Sequence, residues 1–182
     1  MPFLHDLSKL AYDAIDEANI VILSEHALVH KGLLFSVTYK FTAIPSGATA
    51  YLMFTTPSNA QVHFKQSLIT TDAEKISVSI IEGATASGGD TLTVFNRNRN
   101  SPNAALSIVK ANVTGVTGGT IIDMDYLGGG ASAGPKAVAI GTEVAGVTEW
   151  ILKPNTNYVI SLVNDGASEA SAIVKLLWYE IS

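Results

Sequence analysis

Two histidines four residues apart, His26 and His30, are the first side chains in this chain whose spacing could do chemistry. On a helix that interval puts both imidazoles on one face, where they could share a transition-metal ion. No glutamate pattern of the helical zinc hydrolases links them, and the sequence beyond them turns extended. The residues therefore favour ordinary surface histidines. Asp123 and Asp125 share one face of an extended segment and could hold a hard cation. They alternate with Ile122, Met124 and Tyr126, which is how an outer strand reads. The third candidate is Asn96-Arg97-Asn98-Arg99-Asn100-Ser101-Pro102-Asn103, a polar loop that holds both arginines of the chain. Guanidinium groups make bidentate contacts, so Arg97 and Arg99 are the expected interaction residues, facing carboxylates, sugars or a neighbouring chain. A soluble hairpin loop is the plainer reading of the same residues.

Catalysis finds less support. No Gly-x-Ser-x-Gly elbow occurs, and the acidic residues show no recognisable acid/base pairing. Cysteine is absent, which removes disulfides, thiolate metal sites and a cysteine nucleophile. Gly128-Gly129-Gly130 is not followed by Gly-Lys-Ser/Thr, so a phosphate-binding loop fails. The stretch Leu127 to Gly141 reads instead as a long, flexible connection. No catalytic, cofactor-binding or metal-binding residue is assigned.

Composition narrows the classes further. Apolar residues make up 47% of the 182 and charged residues 15%, against a usual charged share of about 25%. Either Ser, Thr, Asn, Gly and Ala cover the surface, or other subunits do. The net charge of −5, with so few arginines, argues against a nucleic-acid partner. No run approaches the roughly 20 apolar residues of a membrane span, and early charges such as Asp6, Lys9 and Asp13 break any secretory signal. The Asn112-Val113-Thr114 sequon is then coincidental.

The elements that position these residues are mostly strands. Phe35, Val37, Tyr39 and Phe41 alternate with Ser36, Thr38, Lys40 and Thr42, a half-buried strand. Further strands are expected at Ala50–Thr55, Val62–Ile69, Lys75–Ile81, Thr91–Phe95 and Ala105–Lys110. Others follow at Thr120–Tyr126, Val147–Leu152, Tyr158–Asn164 and Ala172–Tyr179. Turn chemistry separates them, as at Pro45-Ser46-Gly47 and Asn164-Asp165-Gly166. Both tryptophans lie in strongly apolar strands and are expected in the core. Only Leu7, Leu10, Ala11, Ala14, Ile15 and Ala18 keep helical spacing, with Asp6 as N-cap and Asn19 as stop. The expectation is all-β: an antiparallel, jelly-roll-like β-sandwich over 26–182, preceded by a short helical arm within 1–25. An immunoglobulin-like sandwich ranks second, because the strand count is high. Leu7, Ala11 and Ile15 mark the face of the arm that would pack on a neighbour.

From Phe95-Asn96-Arg97-Asn98-Arg99, through Glu149-Trp150-Ile151-Leu152-Lys153-Pro154-Asn155-Thr156-Asn157-Tyr158, to Trp178-Tyr179-Glu180, the chain resembles a group of tailed-bacteriophage virion proteins. There an asparagine/arginine loop, an E-W-x-L-x-P-x-x-x-Y segment and a terminal W-Y-E recur. The resemblance covers roughly residues 91 to 182. It implies a head decoration, or cement, protein, a non-enzymatic β-sandwich that sits as a homotrimer on the capsid exterior and bridges capsomers. Its partners would be the major capsid protein and copies of itself, with assembly in the host cytoplasm. The alternative is a carbohydrate- or receptor-binding module of a phage tail or fibre, since jelly rolls also bind sugars.

Overall fold

The computed structural model describes residues 11–13, 18–20, 24–71, 75–128, 136–140 and 149–182, with side chains described at 26–65, 71, 75–127 and 149–182. The elements open with β1 (Ala11–Asp13), β2 (Ala18–Ile20), α1 (Ser24–His30) and β3 (Leu34–Ile44). Next come β4 (Thr49–Thr55), β5 (Gln61–Thr71), β6 (Lys75–Glu82), β7 (Thr85–Ser87) and β8 (Asp90–Thr91). Then follow β9 (Phe95–Asn96), β10 (Ile108–Ala111), β11 (Thr114–Thr117) and β12 (Thr120–Gly128). The chain finishes with β13 (Lys136–Ile140), β14 (Trp150–Leu152), β15 (Asn157–Asn164) and β16 (Ala170–Ile181).

Two antiparallel sheets carry the fold, one ordered β12-β6-β15-β4-β10-β8 and the other β13-β5-β16-β3-β9, with β14 also paired to β5. Taking β3, β4, β5, β6, β12, β13, β15 and β16 as strands one to eight, the second sheet reads one-eight-three-six and the first two-seven-four-five. That is the jelly-roll order, two interlocked Greek keys. The expected all-β sandwich is therefore the observed one, with one short helix near its start.

Period-two patterning builds the core. On β16, Ala170, Ala172, Val174, Leu176 and Trp178 are buried while Ser171, Ile173, Lys175 and Leu177 between them are not. They meet Phe35 and Val37 of β3 and, across the sandwich, Leu52 and Phe54 of β4 and Ile160 and Leu162 of β15. Trp178 is fully buried, edge-on to Phe54 at 5.0 Å between ring centroids. A smaller apolar cluster, Met53, Ala84, Val113 and Val159, forms on the outer face of the first sheet. The two-stranded β7–β11 sheet lies there, so β15 is buried on both faces.

Four expectations need correction. The described helix is Ser24–His30, and of the expected helix Leu7–Ala18 the described residues are strand: Ala11–Asp13 pairs with Ala18–Ile20, with Ala11 opposite Ile20. A stripe rich in alanine buries little apolar area, and a helix of about 12 residues is marginal without it. Leu7 and Ile15 lie outside the described residues. Within the supposed loop Leu127–Gly141, Lys136–Ile140 is a strand paired with β5. Thr91–Phe95 is not one strand, because β8 pairs with β10 in one sheet and β9 with β3 in the other. Finally, Trp150 is 44% exposed. It borders a small apolar cavity of about 20 Å³ with Phe64, Ile122 and Leu152 at the open side of the sandwich.

Candidate functional site: the asparagine and arginine loop against the short helix

Helix α1 is two turns long and ends by a glycine. Lys31 N donates to Ala27 O, Gly32 N to Val29 O and Leu33 N to Leu28 O, with Gly32 at φ +66°. A Cβ on Gly32 would fall 2.1 Å from Ser101 Oγ, so only glycine lets the loop approach this closely. The free carbonyls at the helix end then receive amide donors from that loop. Asn96 Nδ2 donates to Gly32 O at 2.8 Å, Asn98 Nδ2 to His30 O at 3.2 Å, and Asn103 Nδ2 to Lys31 O at 3.3 Å. Asn96 Oδ1 accepts from Asn98 N, and Asn98 Oδ1 from Asn100 N, two turns of the kind asparagine favours.

The alternating sequence now has a geometric meaning. Asn96 is buried and Asn98 half-buried, both fastened to the end of α1, while Arg97 and Arg99, each next in sequence, are exposed. Arg99 lies over the exposed ring of Phe95, 5.0 Å from its centroid. Beside them, on α1, stand the exposed His26 and His30, whose rings stack at 4.6 Å. The structure thus joins two candidates that lie almost seventy residues apart in sequence. The reason for setting the histidine pair aside, an extended backbone, does not hold: both residues lie on a helix.

Other sequence candidates lie elsewhere. Asp123 and Asp125 sit on the edge strand β12, opposite Ile80 and Val78 of β6. Charge placed on an edge strand opposes strand addition. Among the described residues, no group of three or more His, Asp or Glu side chains could hold a metal ion. No helix among them is long and apolar enough to cross a membrane.

A second polar cluster was not assigned from sequence. His63 of β5 and Tyr179 of β16 are cross-strand partners, stacked with centroids 4.4 Å apart. Glu149, just before β14, meets His63 Nδ1 at 2.6 Å and accepts from Tyr179 Oη at 2.8 Å. Partial burial would push the Glu149 carboxyl up. The hydrogen bonds from His63 and Tyr179, with nearby Lys65, outweigh it and hold the carboxyl below the ordinary glutamate range. Next in the chain, buried Glu180 accepts from Trp178 Nε1 at 2.9 Å, Leu106 N at 2.7 Å and Ser107 N at 3.0 Å. Tyr158 closes the Pro154-Asn155 turn by accepting from Lys153 N and donating to Glu82. Burial, more than the carboxylate beside it, raises its hydroxyl to about 12. The motif residues Glu149, Tyr158, Tyr179 and Glu180 are therefore latches between strands. The repeated pairing of acid with aromatic in E-W and W-Y-E was the available signal.

No protein-family model, curated protein or solved structure matches this chain.

Proposed function

We propose that this protein is a structural virion protein of a tailed bacteriophage, a decoration (cement) protein on the capsid exterior. In this reading it forms a homotrimer, engages the major capsid protein and stabilises the head by bridging neighbouring capsomers. The observation that carries the reading is how the resembling residues are used. Glu149, Tyr158, Trp178, Tyr179 and Glu180 hold strands of a jelly roll to one another, while the arginine loop is fixed from behind and faces outward. Rigid presentation of a small outward patch suits attachment by many weak contacts, because copies in one oligomer engage the shell at high effective concentration. Exposed Ile121, Met124 and Tyr126 on β12 add apolar surface suited to contact with another chain.

The test is the mass of the purified protein by light scattering, together with its binding to expanded heads. A trimer that saturates heads at a fixed ratio supports the reading. A monomer indifferent to heads overturns it.

A second reading, a carbohydrate- or receptor-binding module, draws on a particular observation. Tyr126 is 63% exposed next to Asp125, and Trp150 is also partly exposed, so aromatic platforms beside polar groups exist on the surface. A glycan array on which Tyr126→Ala or Trp150→Ala abolishes binding would favour this reading.

A further inference from the structure

We propose that His26 and His30 form a bidentate site for a transition-metal dication of the zinc, nickel and copper class. Their Nε2 atoms are 2.7 Å apart while their ring centroids are 4.6 Å apart, so the rings converge toward the Nε2 edges. The planes are inclined by 27°, so a turn of the two rings about their side-chain torsions is what aims both Nε2 lone pairs at one ion. Two neutral nitrogens this close repel unless a shared proton or a cation lies between them. A dication serves both at once: with Zn–N bonds of about 2.0–2.1 Å and tetrahedral angles, the nitrogens stand roughly 3.3 Å apart, reached by a slight opening of the rotamers. Imidazole is a ligand that zinc, nickel and copper all accept.

The fold prepares this pair. Seven residues of helix are held at their C-terminal end by Asn98 Nδ2 on His30 O and by the close seat of Gly32 against Ser101. The backbone under His30 is thus fixed by a loop 68 residues along the chain, and the i, i+4 spacing does the rest. Both rings are exposed, so an ion reaches them from solvent and only the two side chains need move. Two protein ligands leave two tetrahedral positions open, for water or for a donor from another chain. The site does not depend on the virion reading and stands or falls separately.

The experiment uses the full, untagged chain, titrated with ZnCl₂ by calorimetry and loaded with Cu(II) for electron paramagnetic resonance. One ion per chain is expected, with coupling to two imidazole nitrogens in the copper spectrum. Loss of an outer-shell partner at a metal site typically costs about 10–100-fold in affinity, and loss of a ligand at least as much. His26→Ala and His30→Ala should therefore each weaken zinc binding by about tenfold or more, and His63→Ala should leave it unchanged. Circular dichroism establishes that each variant is folded. Absence of binding, binding unaffected by either substitution, or a spectrum with one nitrogen would each overturn the site.

Discussion

Two polar regions of this molecule are both fastened by side-chain hydrogen bonds and end in opposite states. Around Glu149 and Glu180, carboxylates accept from His63, Tyr179, Trp178 and backbone amides, and their bonding is turned into the protein. In the loop 96–103, asparagines bond inward to the end of α1 while the arginines between them face solvent. The first arrangement joins strands that are distant in sequence. The second fixes a backbone so that its outward side chains are presented in one geometry. Alternation of inward and outward residues, familiar from strands, is here used in a loop.

The comparison can be broken first at its most buried member. Trp178→Ala removes a fully buried indole and should cost about 3–5 kcal/mol, read as a lower urea midpoint. An unchanged midpoint would mean that the C-terminal strand is not integral to the core. Glu180→Ala leaves the Trp178 indole and two backbone amides without their acceptor, and a loss of about 2–3 kcal/mol is expected by the same measurement.

Glu149 tests the latch through pH. Its carboxyl is held below the ordinary value of 4.5, so its stabilising contribution is present above that value and disappears as pH falls through the depressed one. Glu149→Gln should cost about 1 kcal/mol near neutrality and flatten the acid limb of melting temperature against pH below 4.5. Among the described residues, Glu82, which the ammonium of Lys153 and then Tyr158 hold down, would still contribute acid sensitivity. An acid limb identical to that of the parent protein would show that Glu149 does no such work.

The loop offers the sharpest contrast and the smallest effects. Arg97→Ala and Arg99→Ala should shift stability by no more than about 0.5 kcal/mol, whereas Asn96→Ala should cost about 1–2 kcal/mol by removing the shorter of two donors to Gly32 O and the Asn96 donor to Asn103 O. Binding to expanded heads should respond the other way round, weakening in the arginine variants. If arginine and asparagine substitutions destabilise alike, the inward/outward division is wrong.

Most of the strand framework was legible because period two is a local property. Phe35 to Phe41 and Ala172 to Trp178 declare their buried faces without knowledge of a partner. The short helix was not legible, since seven residues display barely two turns of pattern. Gly32 after a terminal His30 was the trace it left. Trp150 was misplaced for a related reason: an apolar strand does not reveal whether it lies under a second sheet or at the open side of one.

The sequence by itself determined an all-β sandwich, its main strands and turns, and a loop carrying every arginine, because hydrophobic period and turn residues act over a few positions. Tertiary structure decided the jelly-roll order, the seating of the loop 96–103 on the end of the helix that carries His26 and His30, and the union of Glu149 with His63 and Tyr179. Glu149 and His63 are 86 residues apart, and the strand partners Leu34 and Tyr179 lie farther apart still. Which of many possible partners meet is settled by the packing of both sheets together, and no local pattern encodes it.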